Sequence, residues 1–478
     1  MIELRPHQDH GVELLRDGFR AGHRRQILVM PTGAGKTITA ASVASSAKAK
    51  GNLTLFIVDR IELAAQAAET MESLGLTVSI LQGENTKIVA GHDVVVASIQ
   101  TLVRRRLPDA RLIIIDEAHV LHQAHIKLLE RWDALPVIGL SATPFSRGLG
   151  KWFTNLVIPT TIRDLTHDGL LVPVVAYGPN KPDLDGVETR GGDYAVGQLS
   201  ARMQQSIIHA DLVETWRRLG ENRATLAFAV DIAHAKHIAA SFNDVGVVAA
   251  HVDGYQDSEE RRDTIKRFKA GEIKVLASVA CLSLGFDAPI AGCAILARPT
   301  KSLTFHLQTI GRVLRPYSGK ADAIILDHSG NIERHGLPED IAIGTLDTGT
   351  KTWGTNAHQT PLPKPCPKCA FMKPPSTHKC PSCGFAPERQ STVQHSDGEL
   401  IALTFDALAK SNRRLYQEFL GAALHFGKKP GWAFFLYQAK TEEKPAWGWN
   451  NLAPIEPSAE TLRYAKSQMI RFSKGRAA

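Results

Sequence analysis

The run Met30-Pro31-Thr32-Gly33-Ala34-Gly35-Lys36-Thr37 sets two glycines, a lysine and a hydroxyl directly behind an apolar stretch, 27–30, and ahead of good helix formers, 38–49. A strand, a tight glycine turn and a helix N-terminus in that order form a cradle for a triphosphate. Backbone N–H groups of Thr32, Gly33, Ala34 and Gly35 meet the phosphates, Lys36 reaches the β and γ oxygens, and the Thr37 hydroxyl ligates Mg²⁺. The strict spacing of such loops wants glycine at position 30, where this chain has Met30. A second element lies downstream, where the β-branched run 111–115 ends in Asp116-Glu117-Ala118-His119. Carboxylates at the carboxyl end of a buried parallel strand face the phosphate loop. Asp116 would hold Mg²⁺ through its water shell and Glu117 would polarise an attacking water, which is chemistry for hydrolysis rather than for binding alone.

The elements that must position these groups read as an open parallel α/β sheet. Short apolar runs at 53–58, 93–97, 112–115 and 137–140 alternate with helical segments such as 61–74, and a similar alternation returns at 225–230, 247–250, 274–277, 294–297 and 323–326. The expected fold class is α/β: two tandem RecA-like parallel-sheet domains over 1–165 and 166–343, the second without a phosphate loop. A domain with the fold and without the cradle serves its neighbour, and the run 308–315 supplies Arg312 and Arg315 at helical spacing to meet the γ-phosphate.

At 478 residues, with 44% hydrophobic and 22% charged residues, the chain has the composition of a large globular enzyme of about three domains. A net charge of +8 favours a polyanionic partner. No apolar run approaches the roughly 20 residues of a membrane span, and the start, Met1-Ile2-Glu3-Leu4-Arg5, lacks a signal core. A cytoplasmic location without membrane contact is expected.

The set PTGAGKT, DEAH, SAT at Ser141 to Thr143, LGFDAP at Leu284 to Pro289 and QTIGRVLR at Gln308 to Arg315, in that order, resembles the superfamily 2 helicases. Within them, the opening Leu4-Arg5-Pro6-His7-Gln8, the block 58–66 and the later cysteines are similar to the RadD-like DEAD/DEAH-box DNA helicases of bacteria and phages.

The resemblance implies a role for each matching position. Arg5 and Gln8 match the adenine-reading element, so ATP is the implied nucleotide; Lys36, Thr37, Asp116 and Glu117 match the catalytic positions; Gln308, Arg312 and Arg315 complete the site, with Arg315 the arginine finger. Gly285 and Asp287 match the segment coupling nucleotide to strand, and Ser141 and Thr143 the relay of closure. Nucleic acid is implied at Arg60, Gln66, Ser98, Gln100, Thr101, His251, Gly254 and Thr300. His119 in place of aspartate, and Gln308 where a histidine-arginine pair would begin the sixth motif, set the chain apart from DEAD-box RNA helicases and favour sequence-nonspecific single-stranded or branched DNA over RNA. No further nuclease signature stands out, and no long insertion or β-hairpin wedge is visible between the motifs.

Two functional classes follow: an ATP-driven DNA translocase or helicase acting in repair, recombination or replication, and an ATP-switched nucleic-acid clamp or nucleoprotein remodeller without net unwinding.

Beyond the motor, 344–365 is rich in Gly, Thr and Pro and reads as a linker. Cys366-Pro367-Lys368-Cys369 and Cys380-Pro381-Ser382-Cys383-Gly384 then form two CxxC knuckles, a zinc-ribbon-like module over 366–384 whose four thiolates suit tetrahedral Zn²⁺. Disulfides and a redox dithiol are the competing readings, and His378 an alternative ligand. The module's lysines fit docking on DNA, while a structural or protein-binding role stands beside that. Cys281 and Cys293 read as core residues. The last segment, 385–478, is an α-rich accessory domain whose Trp432, Phe434, Phe435, Tyr437, Trp447 and Trp449 either build its core or stack on unpaired bases.

Overall fold

The computed structural model describes residues 3–59, 61–83, 86–178, 182, 184–203, 206–279, 286–349, 362–374, 377–386, 405–441 and 443–474. Arg60, Cys281, Leu284 and Gly285 lie outside the described residues, as does most of the expected linker. The chain separates into two units, Met1–Pro387 and Glu388–Ala478.

The first unit is built on two sheets. Strands β1 (Arg25–Val29), β2 (Thr54–Val58), β3 (Val78–Leu81), β4 (Val94–Ser98), β5 (Leu112–Ile115), β6 (Val137–Ser141) and β7 (Asn155–Val157) form one all-parallel sheet in the order β3-β4-β2-β5-β6-β1-β7. Strands β8 (Val174–Tyr177), β11 (Thr225–Phe228), β12 (Ala249–Val252), β13 (Val275–Ser278), β14 (Cys293–Leu296) and β15 (Ala323–Asp327) form the other, in the order β12-β13-β11-β14-β15-β8, with a hairpin β9 (Thr189–Arg190) and β10 (Asp193–Tyr194) between. Helices cover both faces, so the central strands are apolar and buried throughout, as in Leu-Ile-Ile-Ile of β5. Cys293 lies fully buried in β14.

Helices α1 (Pro6–Arg20) and α2 (Lys36–Lys48) carry the nucleotide end of the first domain. Met30, at the position where a glycine was expected, is fully buried in the core beside Phe56 and Ile114, so its side chain leaves the loop free.

The hairpin lies between the motifs, where the sequence shows no long insertion or wedge. Its two-residue strands and Gly191-Gly192 tip are too short for a readable alternation of apolar and polar residues. What holds it is side-chain bonding: the Asp193 carboxylate accepts from the Thr300 hydroxyl (2.8 Å) and the Lys301 backbone N–H (2.7 Å), and the ammonium of Lys301 sits 4.7 Å from the Tyr194 ring centroid.

Two short strands, β16 (Lys364–Pro365) and β17 (Met372–Lys373), carry the first cysteine knuckle and dock it on the exposed edge of β8. The Gly178 N–H donates to Ala370 O (3.0 Å), the Tyr177 and Phe371 rings meet edge to face at 5.9 Å, and buried Met372 packs over Gly178. An unpaired sheet edge is thereby covered.

The second unit contains helices Phe405–His425, Gly431–Thr441 and Ala459–Lys474. Buried Tyr416, Phe419, Leu436 and Tyr437 form its core with Trp432 and Trp449 packed against them. Most of its described aromatics therefore act as core; Phe435, 60% exposed, and half-buried Phe434 stand outside that cluster, and the side chain of Trp447 lies outside the described residues. Among the described residues, no helix is long and apolar enough to cross a membrane.

Candidate active site

The phosphate loop leaves β1 at the carboxyl edge of its sheet and turns through Gly33 (φ 91°) and Gly35 (φ 85°), both left-handed conformations that a side chain would strain. Gly35 caps α2, so Lys36 and Thr37 are the first helical residues and their N–H groups point out of the helix end. Beneath the loop, the Gln8 Nε2 donates to Ala34 O (3.0 Å), His7 Nε2 lies 2.9 Å from the same oxygen, and the Gln8 Oε1 accepts from the Arg5 N–H (2.9 Å). Gln8 thus ties the start of α1 to the loop, and the expected adenine reader is buried against the loop it would inform. His7 shares this tie; nothing in its spacing marked it beforehand.

A cavity of about 520 Å³ opens over the loop, lined by Thr32, Gly33, Lys36 and Thr37, by Asp116 and Glu117, by Arg5, and from the second domain by Asp287, Arg312 and Arg315. Groups from both sheets therefore meet in one space. Glu117 adopts φ 47°, the left-handed region that few residues other than glycine enter, which turns its carboxylate sharply from the end of β5. Its Oε2 lies 3.3 Å from His119 Nδ1, that nitrogen lies 3.1 Å from Ser141 Oγ, and Ser141 Oγ accepts from the Thr143 N–H at 3.0 Å. An unbroken chain of polar contacts thus runs from the Glu117 carboxylate to the segment expected to relay closure.

Electrostatics divide the two acids. Burial raises Asp116, and the charge of Glu117 raises it further. Burial works to raise Glu117 too, but the charge of Lys36, the hydrogen bond and charge of His119 and then Arg312 outweigh it and hold the carboxyl below the usual carboxylate range. One carboxylate stays charged and the other is poised to gain from a cation. Asp116, Glu117 and Thr37 share the cavity wall, so their donor set fits Mg²⁺ with a triphosphate.

The second domain delivers its arginines from the end of the helix Leu303–Gly311. Arg312 Nη1 donates to Phe286 O (2.8 Å), and burial first, then Arg315, lower its affinity for the proton to about 10. Arg315 pairs with Asp287 and packs along Gly33. Lys320, which sequence reasoning did not single out, donates from Nζ to Arg315 O (2.8 Å), Ala291 O (2.6 Å) and Pro289 O (3.2 Å), pinning the chain on either side of the cleft wall. Gln308 is buried in the same helix and does not line the cavity.

The residues expected on nucleic acid fall into three groups. Gln66 lies with Leu63, Ala67 and Thr70 on the wall of the nucleotide cavity, because the helix Ile61–Ser73 turns that face to the phosphate loop. Ser98, Thr101 and Thr300 are buried with their hydroxyls bonded inside the protein: Ser98 Oγ and Thr101 Oγ1 are 2.8 Å apart, and Thr300 Oγ1 donates to Asp193. Gln100, His251 and Gly254 remain at the carboxyl ends of β4 and β12, with Gln100 and Gly254 exposed and His251 half-buried beside Asp253 at 3.5 Å.

The four cysteines come together as the spacing implied. All four sulfurs lie within 4.8 Å of one another, with Cys366–Cys383 at 3.8 Å and Cys369–Cys380 at 3.7 Å. A tetrahedral ion with Zn–S bonds of ~2.3 Å sets its sulfurs about 3.8 Å apart. The donor set fits Zn²⁺. Both knuckles use one turn, with N–H donated from Ala370 to Cys366 O (2.8 Å) and from Gly384 to Cys380 O (2.9 Å). His378 does not join the cluster.

Residues 1–146 match the family described as "Type III restriction enzyme, res subunit", and residues 208–317 match "Helicase conserved C-terminal domain". The chain is 30% identical to "Putative ATP-dependent helicase IRC3" of Saccharomyces cerevisiae over 68% of its own length and 51% of that protein, so it spans about half of that relative. It is 29% identical to a "51.5 kDa protein" of a Lactococcus phage, over 77% of this chain and 80% of the phage protein. In fold it is similar to "The fragment structure of a putative HsdR subunit of a type I restriction enzyme from Vibrio vulnificus YJ016", with a TM-score of 0.57 and 22% identity over 70% of this chain and 67% of that one. With the two family models matched in order, and a phosphate loop answered across a cleft by two arginines, the chain belongs to the superfamily 2 helicases.

Proposed function

We propose that the protein is an ATP-driven motor that moves on DNA. The observation that carries this reading is the shared cavity, in which Lys36, Asp116 and Glu117 from one domain face Arg312 and Arg315 from the other. ATP bound there touches both domains only when they are closed. Lys36 and the loop N–H groups would hold the phosphates, Thr37 and Asp116 the Mg²⁺, and the ion would screen the β and γ oxygens. Glu117, kept charged, orients and deprotonates the attacking water, while Arg315 and Arg312 stabilise charge on the departing phosphoryl group. Loss of the γ-phosphate removes the partner of both arginines and the cleft opens.

Closure reaches the strand-binding side through Ser141 and Thr143 on one domain and through Asp287, paired with Arg315, on the other. DNA is the proposed track because the first motor half is similar to restriction-enzyme subunits and the net charge is +8. Gln100, His251 and Gly254, with Arg60, are the proposed contacts, gripping the phosphodiester backbone and therefore little sequence. The proposed division is 1–165 and 166–343 for the motor domains, 344–365 for the linker, 366–384 for a Zn²⁺ module that clasps the edge of the second sheet, and 385–478 for an accessory domain. Thiolates held for a metal suit the reducing cytoplasm.

ATP turnover measured with single-stranded DNA, forked duplex, blunt duplex and RNA, followed by strand displacement on the forks, tests the reading. Turnover stimulated by DNA with displacement is the expected result. Stimulation without displacement would favour an ATP-switched clamp or remodeller, and stimulation by RNA alone would overturn the assignment of the track.

A further inference from the structure

A second cavity, of about 620 Å³, lies between the two motor domains and shares only Pro31 and Thr32 with the nucleotide cavity. Its volume is that of a site for a drug-sized molecule. Apolar side chains from both domains form most of its wall, among them Ile162, Leu171, Leu307, Leu314 and Ile341. Two polar atoms of its lining residues are buried without a hydrogen-bond partner: Thr143 Oγ1 and Glu339 Oε2. Native interiors rarely leave such atoms unsatisfied.

The charges around Glu339 define what is missing. Arg163 is the one cation among the lining residues, and its Nη2 is bonded to Asp340 Oδ1 at 2.7 Å. Burial first, and then the charge of Asp340, push Glu339 up to about 7, with Arg163 opposing weakly. A carboxyl so placed gains most from a cation brought from outside.

We propose that this cavity is a second ligand site, which takes a compact apolar molecule bearing one ammonium or amidinium group against Glu339. Because its walls come from both domains and include Thr32, the site is complete only in the closed motor. Ligand and nucleotide therefore favour the same state, and each raises the affinity for the other. The occupant would act as a brake on reopening, held behind the phosphate loop while ATP occupies the front.

The test uses the full-length chain and the probe 1-naphthylmethylammonium, with neutral 1-naphthylmethanol for comparison, read by isothermal titration with and without a non-hydrolysable ATP analogue and Mg²⁺. One-site binding is expected, roughly tenfold tighter with the analogue and at least roughly tenfold weaker for Glu339→Gln and for the alcohol. Ile341→Trp, which fills the cavity, abolishes it. Circular dichroism and thermal melting establish that both variants are folded. No saturable binding of the ammonium probe, or binding that neither substitution weakens, overturns the proposal. Binding is read directly and not through turnover, so its failure would leave the motor reading standing.

Discussion

Gly311, which ends a helix of the second domain, lies against Thr32 of the phosphate loop so closely that a Cβ on Gly311 would come 3.2 Å from Thr32 Cβ and 3.3 Å from its Oγ1. The domains meet here with no room for a branched side chain. Gly311→Val should hold the cleft open and lower kcat for ATP by at least roughly tenfold, while nucleotide binding to the first domain changes less. Steady-state kinetics beside equilibrium binding of a fluorescent ATP analogue check this; undiminished turnover would remove the contact from the working cycle.

The contacts from Glu117 through His119 to Ser141 give the acid two kinds of support. Glu117→Gln should abolish turnover by a factor of ~10²–10⁴ with ATP binding retained, as expected for loss of a general base. His119→Ala removes only the positioning partner, and a smaller fall, of about tenfold, is expected. Equal losses in the two variants would mean that the histidine takes part in the chemistry itself.

Acid stability carries a separate signature. His306 is fully buried, its ring tilted against that of His335 with centroids 5.0 Å apart, and burial first, then the neighbouring His335, lower it to about 3. The unfolded chain takes up that proton near pH 6.5 and the folded chain does not, so stability falls as pH drops below about 6.5 and continues to fall until pH reaches about 3, by up to ~1.4 kcal/mol per unit. Glu339, raised to about 7, works in the opposite direction, stabilising as pH falls from 7 toward its unfolded value. The difference between the parent and His306→Gln isolates the histidine: urea unfolding at pH 7.5 and pH 5 should show a pH dependence of about 2 kcal/mol in the parent that the variant lacks.

The residues that meet in the nucleotide cavity, Lys36, Asp116, Glu117, Arg312 and Arg315, were legible in the sequence because the chemistry proposed for them fixes their spacing. The apolar runs at β5, β6 and β15 fell within a residue or two of the observed strands, since strands buried on both faces read as unbroken apolar stretches. Strands β3, β7 and β8 were not foreseen, because three or four residues at or near a sheet edge give too little pattern. Ser98, Thr101 and Thr300 illustrate a different limit. A hydroxyl that grips a phosphate and one that bonds a buried neighbour look alike in sequence, and only the fold reveals the Asp193 that Thr300 meets.

The paired cysteine turns differ in one residue that the fold exposes. Gly384 takes φ 72°, and its counterpart in the first knuckle is Ala370 at φ 60°, a conformation that disfavours a Cβ. Ala370→Gly should raise the stability of the Zn²⁺-loaded module by about 1 kcal/mol, whereas removing the metal with a chelator should lower the melting temperature of the second motor domain, which the module clasps through Tyr177 and Phe371. Calorimetry of both forms checks the pair of effects. An unchanged melting temperature after demonstrated metal loss would show that the clasp adds nothing.

The central claim is that ATP is hydrolysed between the two domains with an arginine supplied from the second. The most direct measurement is the single-stranded-DNA-stimulated ATPase rate of Arg315→Ala against the parent, with ATP affinity measured in parallel. A fall in kcat of ~10³-fold or more, with affinity little changed, is the predicted result. Turnover within a fewfold of the parent would contradict it, because the first domain would then be hydrolysing ATP without its neighbour.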